Sequence, residues 1–440
     1  MKSRTTQKPR WRSDAEISAV ISSGSRVKPP AYHPAHRRER EAPTPQEVFS
    51  SRPPPSSDPV RLRRKHDEAF VMRRFLIACT LLPLLATADI KPEEITVAKM
   101  AKPTNTWLLA KSTFGPAYVF DAESGDMHGL LSVSEWTPAL ALDEKRRKIY
   151  AAESYYTRRH RGERSDMLTV YDLETLTPEA EIPLPNKLAA LSFRQYIGML
   201  SDRRHVAVFN MDPGQSVAVV DVRDREFVGE ISIAGCALIM PVDDRGFLSL
   251  CGDGSAQLIR LNKRGEETLR VRSEAFFDVE QDPVFDRPVP TANGWLLVSF
   301  GGQVFELTVA DDAIEVSEPW SVTTDDEKEE KWRVGGYQVL EYHIGLGLVF
   351  TLMHQGGEDT HEDAGTEVWV SSLEERRKIA TIELPSKGSN LLVSQGDEAY
   401  LTVSGQDNKL HVFDVRKAKL HRTIEQVGNY PSLLQGFAGR

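Results

Sequence analysis

The sequence predicts an all-β fold, a seven-bladed β-propeller, on three observations. Seven short apolar strands recur, several ending in an Asp-containing turn: Tyr118–Asp121, Thr169–Asp172, Val219–Val222, Leu258–Leu261, Val304–Leu307, Val368–Ser371 and His411–Asp414. Most have a partner strand about eight to ten residues on, such as Glu181–Leu184 or Ala380–Glu383. The spacings cluster in the forties and low fifties, with one longer gap before Trp369, and no long amphipathic helix intervenes. A unit of that size is a four-stranded blade, which cannot bury both faces alone and so packs against its neighbours around an axis. A pair of β-sandwiches is the competing architecture, and seven similar units weigh against it.

The chain divides into three parts. Residues 1–71 form a basic, proline-rich extension, with Pro29-Pro30, Pro53-Pro54-Pro55 and Arg63-Arg64-Lys65. Its apolar content is too low to offset the entropy of ordering, so it reads as disordered. Residues 72–88 read as a secretory signal: Arg73-Arg74, then the apolar run Phe75–Leu85, then the small-residue cleavage site Ala86-Thr87-Ala88. A signal acts at a nascent N-terminus, so Met72 reads as the start and residues 1–71 as a mis-called extension. A lipoprotein signal ending at Cys79 would leave too short an apolar stretch. Residues 89–440 are the propeller, and a periplasmic location follows from the signal.

Charge narrows the partners. Residues 1–88 carry a balance of +9 and the remainder −18, within a total of −9. An acidic body repels nucleic-acid phosphates and anionic lipid, so no nucleic acid and no membrane partner is expected. Beyond residue 90 no apolar run approaches the ~18 residues of a spanning helix. The acidic surface suits a soluble partner with a basic patch, or only keeps the protein in solution.

Cysteine usage agrees with export. Cys79 leaves with the signal, and Cys236 and Cys251 remain. Two short strands turning at Asp243-Asp244 form a hairpin that can bring these two cysteines together. One disulfide is favoured over two buried thiols.

Three segments interrupt the blade pattern. Trp320–Trp332 suits a capped short helix at Thr323-Thr324-Asp325-Asp326 and, like the loop before Trp369, an excursion from one face of the disc. The loop His354–Asp363 carries two His and four carboxylates, but without the spacing of a metal scaffold it reads as a solvated loop. Tyr155–Asp166 mixes tyrosines and arginines as interface hot spots do, or as a solvated basic loop does. No nucleophile elbow, phosphate loop, dinucleotide fingerprint or haem-attachment motif is present.

Longer strings carry a family resemblance. YYTRRHRGERSDMLTVY (Tyr155–Tyr171), GCALIMPVDDRGFLSLCGDG (Gly235–Gly254), KWRVGGYQ (Lys331–Gln338) and MHQGGEDTHEDAGTEVWV (Met353–Val370) resemble the large subunit of the quinoprotein amine dehydrogenases. The Tyr-Tyr pair and the Gly-Gly-Glu loop stand nearer the aromatic amine branch than the methylamine branch. The resemblance implies a heterotetramer of two large and two small subunits. The cofactor, tryptophan tryptophylquinone, and the catalytic Asp base would lie on the small subunit, with no catalytic residue in this chain. A primary amine would become an aldehyde and ammonia, and electrons would pass to a blue-copper protein of azurin or amicyanin type. It implies the Cys236–Cys251 disulfide as well. Trp136, in Trp136-Thr137-Pro138, matches the place of a channel-facing aromatic, although it also fits ordinary blade packing. Tyr155, Tyr156, Arg158, Trp332 and Arg333 match motif positions at the substrate channel or subunit interface. A stand-alone binding propeller and a metal-dependent propeller lactonase are the competing readings.

Overall fold

The computed structural model describes residues 98–437 apart from Thr113, Pro138, 186–190 and Ser192. The basic extension, the signal segment and residues 89–97 lie outside the described residues. The described chain is an all-β propeller. Its sheets are antiparallel, and each begins with its innermost strand.

The first sheet closes the ring: Pro431–Gly436 pairs with Trp107–Ser112, followed by Ala117–Asp121 and Met127–Leu131. The second sheet runs Leu140–Asp143, Lys148–Tyr156, Arg164–Asp172 and Pro178–Leu184. The third runs Ile197–Met199, His205–Asn210, Ser216–Asp221 and Glu226–Ser232, and the fourth Cys236–Val242, Gly246–Cys251, Ala256–Leu261 and Glu267–Arg272. The fifth, Val289–Pro290, Gly294–Val298, Gln303–Ala310 and Ala313–Val316, gains a fifth strand from Trp320–Ser321. The sixth has eight strands, from Trp332–Val334 to Lys419–Ile424.

The expectation of seven separate blades is therefore corrected. Five blades of four or five strands stand as separate sheets among the described residues, and the rest of the ring is one continuous eight-stranded sheet. The repeats at Val368–Ser371 and His411–Asp414, read from sequence as two units, both fall in that sheet. The cause is the 17-residue strand Arg377–Val393, which pairs with Gly365–Ser372 along its first part and with Tyr400–Gly405 along its second. Pro385-Ser386-Lys387-Gly388 reads like a turn, yet the backbone stays extended and Gly388 lies opposite both Gly365 and Gly405. A Cβ on Gly388 would lie 2.5 Å from a Val403 methyl, so only glycine permits this approach.

Hydrophobic seams run around the ring. Strand alternation sends Leu109 and Val119 of the first sheet against Ile149 and Ala151 of the second, and Tyr150 and Ala152 of the second against Val206 and Val208 of the third. Met240 and Leu248 join the third, fourth and fifth sheets, Val298 and Phe350 the fifth and sixth, and Leu410 and Leu108 the sixth and first. Each buried Leu, Ile, Val, Met or Phe of these seams contributes about 1.5–3 kcal/mol of transfer free energy.

The Asp of the repeat has a local role. Asp121, Asp172, Asp221 and Asp414 each accept a backbone N–H two or three residues on, at 2.9–3.1 Å, closing the turn after the third strand of a blade. These turns lie on one face of the disc, where connections between strands span only two to six residues. Antiparallel alternation puts every longer connection on the opposite face, including the segments around Trp136, 157–163, 273–288, 317–339 and 356–364. The expected helix lies there, at Asp325–Glu329, with a capping box between Thr324 and Glu327.

Candidate functional site

The insertion face gathers every site residue expected from sequence, in two separate groups. The disulfide marks the same face: Cys236 and Cys251 stand opposite each other in the hairpin register and are joined, with an S–S distance of 2.07 Å.

The first group lies at the seam of the first and second sheets. The Tyr155–Asp166 segment is only partly a loop. Tyr155 and Tyr156 end the nine-residue strand Lys148–Tyr156, in register with Ser165 and Arg164. The turn at 157–163 is closed by Thr157 N–H to Glu163 O at 3.0 Å and Arg158 N–H to Arg161 O at 3.0 Å, and Arg158 is exposed on it. Trp136, in the connection from the first sheet to the second, is packed edge-on by Phe114 at 5.4 Å, Tyr156 at 6.3 Å and His160 at 6.1 Å. Glu135 pairs with Arg159 at 3.2 Å, tying the turn to this connection.

Beneath the aromatics lies a carboxylate that the sequence reading missed. Glu153 is fully buried. It accepts from Ser134 N–H at 2.7 Å, Tyr155 O–H at 3.0 Å and Tyr171 O–H at 3.0 Å. Burial, then the Glu153 charge, pushes both phenols up, so each remains a donor. Lys111 is also buried. Desolvation lowers its pKa to about 8 against the opposing attraction of Glu153. Buried charges are retained where they are paired and hydrogen-bonded. The available signal was position: Glu153 follows Ile149 and Ala151 at period two, on the side of the strand that faces an apolar seam.

The second group lies on the sixth sheet. Trp332 leans on Trp369, with ring centroids 5.2 Å apart and a 46° interplanar angle. Trp369 is buried, donates to Glu367 at 2.7 Å and carries the Lys378 ammonium 3.5 Å above its ring. Arg333 is half-buried, and its Nε has no partner among the described residues. Its charge acts on two buried groups, Asp282 and His354. Asp282 accepts from Gly301 N–H at 2.6 Å, while its other oxygen has no partner among the described residues, and desolvation raises its pKa to about 6. Desolvation lowers the pKa of His354. His354 is no part of a solvated loop: it lies in the strand Leu348–Gln355, is buried, and meets the Thr360 hydroxyl at 2.9 Å.

The structure thus brings Trp136 and Tyr156 together, places Tyr155 on Glu153 below them, and leaves Trp332 and Arg333 at another seam. Phe114, 58 % exposed, completes the first group and was not anticipated. Tyr155, Leu191, Met211 and Tyr337 are further large apolar side chains exposed on this face. Among the described residues Trp332 and Trp369 are the one pair of indoles in ring contact, and Trp369 is covered on its face by Lys378. An enclosed indole of that kind does not fit a quinone that must meet an amine.

Comparison with known proteins narrows the reading. The family profile of the methylamine dehydrogenase heavy chain matches residues 109–437. The methylamine dehydrogenase heavy chain of Methylophilus methylotrophus is 25% identical over 82% of this chain and 93% of its own length. That of Paracoccus versutus is 26% identical over 72% of this chain and 75% of its own. Among solved structures, a putative 6-phosphogluconolactonase from Bacteroides fragilis aligns with a TM-score of 0.52 at 13% identity, over 78% of this chain and 99% of that one. A functionally unknown protein from Desulfotomaculum acetoxidans gives 0.52 at 8% identity, over 74% and 96%. These structures share the fold alone.

Proposed function

This chain belongs to the methylamine dehydrogenase heavy-chain family and is a large subunit of the amine dehydrogenase type, and we propose that its insertion face docks a small subunit that carries the redox cofactor. The observation that carries this reading is the family match over residues 109–437, joined to the concentration of long connections and exposed aromatics on one face of the ring. An exposed apolar set rimmed by arginines is the composition of a docking surface.

In this proposal the assembly is a periplasmic heterotetramer of two large and two small subunits. Tryptophan tryptophylquinone on the small subunit accepts the electrons of a primary amine, which leaves as aldehyde and ammonia, and a blue-copper protein of azurin or amicyanin type is the electron acceptor. This chain supplies walls and position. Trp136, with Phe114, Tyr156 and His160 around it, borders the path of the amine, and its bulk limits the width of substrate that passes. Tyr155 and Arg158 meet the partner at the edge of the second sheet, and Trp332 and Arg333 meet it on the sixth. The buried Glu153 holds Tyr155 and the Ser134 amide, which keeps the Trp136 connection in place. Export fits the disulfide, and among the described residues no helix is long and apolar enough to cross a membrane.

The test is co-expression from Met72 with the neighbouring genes, followed by isolation of the periplasmic fraction. The expected result is a complex with a small chain whose visible quinone absorbance is bleached by a primary amine. A colourless lone chain from cells shown to express every neighbour would instead establish a stand-alone binding propeller.

A further inference from the structure

The insertion face carries its charge unevenly. Around the fifth and sixth sheets, segments 273–288, 317–339 and 356–364 hold fifteen carboxylates against four Lys and Arg, and nearly all of these carboxylates are exposed. Turn 157–163, on the second sheet, holds Arg158, Arg159 and Arg161 against Glu163. Dissolved salt screens exposed charges beyond about 8–10 Å. Each region therefore acts on whatever lies directly over it, and the acid elsewhere on the face does not cancel the turn.

Two of the guanidiniums on the turn are unpaired. Arg159 lies 3.2 Å from Glu135, and Arg164, just after the turn, lies 2.8 Å from Asp166. Arg158 and Arg161 are exposed and form no ion pair among the described residues. The backbone beneath them is shaped in advance. His160 N–H donates to Arg158 O at 2.8 Å, and Glu163 N–H donates to the Thr157 hydroxyl at 3.2 Å. Gly162 takes a φ of 103°, which a residue with a side chain rarely adopts. A turn already ordered loses little entropy when a partner binds it.

Apolar surface adjoins the turn. His160 and Phe114 both pack edge-on against Trp136, and Tyr155 stands near the end of the strand that enters the turn. Phe114 and Tyr155 are exposed. Aromatic side chains beside arginines are the composition of interface hot spots, and a carboxylate matches a guanidinium bidentately. An extended polyanion such as nucleic acid would also meet the acidic segments of the same face. The matching carboxylates therefore belong to a local patch on a folded protein.

We propose that turn 157–163 docks an acidic patch of the small, cofactor-bearing subunit, with Arg158 and Arg161 each facing a carboxylate of that patch. The acidic segments around the fifth and sixth sheets repel the same patch and leave it one orientation on this face. The proposal rests on the amine dehydrogenase reading: Trp136 borders the amine path there, so a subunit seated over Trp136 also covers the adjoining turn.

The test uses the complex of large and small chains purified after co-expression. Its dissociation constant is read by sedimentation velocity over a dilution series in about 0.05 and about 0.5 M NaCl. The parent complex is expected to be at least about tenfold weaker at the higher salt. Arg158→Glu with Arg161→Glu is expected to weaken the complex at least about tenfold at the lower salt and to remove most of the salt dependence. Arg158→Lys with Arg161→Lys keeps the charge at the same exposed positions, and is expected to hold the affinity within about threefold and to keep the salt dependence. A complex that the charge reversal changes by less than about threefold, or that neither salt nor the reversal dissociates, would overturn the proposal and leave the subunit reading standing. Recovery of the parent large chain alone, from cells shown to express the small chain, would overturn both.

Discussion

The two faces of the ring are built from the same strands but handle polar groups differently. On the short-turn face each repeat Asp closes its own turn with one oxygen, and Asp121, Asp172 and Asp221 add one side chain from a neighbouring segment, Thr106, Lys148 and Arg204. Asp202 shows the limit of this: burial would raise its pKa, but His205 and the Arg204 and His205 amides bring it down to about 2. On the insertion face Glu153 gathers donors from three segments, and Asp282 leaves one oxygen without a partner among the described residues. The difference teaches that on the turn face each carboxylate first closes its own backbone turn and so supports the ring, whereas on the insertion face the buried carboxylates serve segments that meet only in the fold, and there a partner can add contacts.

The sharpest way to break this comparison is Glu153→Ala. It removes the Glu153 charge that favours the buried Lys111 ammonium and the acceptor of the Tyr155 phenol and the Ser134 amide, and leaves the Tyr171 phenol with Ser132 O at 3.3 Å. A loss of about 3–5 kcal/mol in urea unfolding at pH 7 is expected. Glu153→Gln, which keeps an acceptor, should cost less, and equal stability of the alanine variant and the parent would refute the role given to this carboxylate.

Asp282→Asn should act in the opposite direction. The folded pKa of about 6 lies above the ordinary 3.8, so the favourable contribution of the acid is complete below pH 3.8 and is lost as pH rises through 6. The variant should therefore gain up to about 3 kcal/mol at pH 8 and nothing at pH 3.5. Thermal melts at the two pH values decide it, and a loss at pH 8 would mean that Arg333 compensates the charge.

Asp202→Asn probes the turn face. The folded pKa of about 2 lies below 3.8, so this carboxylate stabilises above pH 3.8 and ceases to as pH falls through 2. A cost of about 2 kcal/mol at pH 7 that fades towards pH 2 is expected. A pH-independent cost would point to packing instead of charge. The smallest effect is expected from Thr324→Ala, which removes one half of the capping box on the insertion face and should cost about 1 kcal/mol, read as a shift in the denaturant midpoint.

How much of this was legible varies by residue. The repeat Asp residues, the Thr324 cap and the Cys236–Cys251 hairpin were readable because each depends on neighbours close in sequence. Trp136 and Tyr156 were readable only as motif positions, and their contact joins a connection and a strand end on adjacent segments of the ring. Glu153 was passed over because one buried acid in a strand looks no different from an exposed one until its partners, Lys111 and Tyr171 from other strands and Ser134 from a connection, arrive beside it.

The sequence by itself determined the strand period, the closing turns, the placement of long insertions between particular strands and membership of the heavy-chain family. Only the tertiary structure decided how the strands are grouped into sheets, since Gly388 can pair on both sides only when Gly365 and Gly405 are brought alongside it. It alone also showed that Arg194, Glu341 and Gln435 meet at a central cavity. Local hydrogen bonds and side-chain periodicity are written along the chain, whereas burial and the meeting of distant charges exist only once the ring has closed.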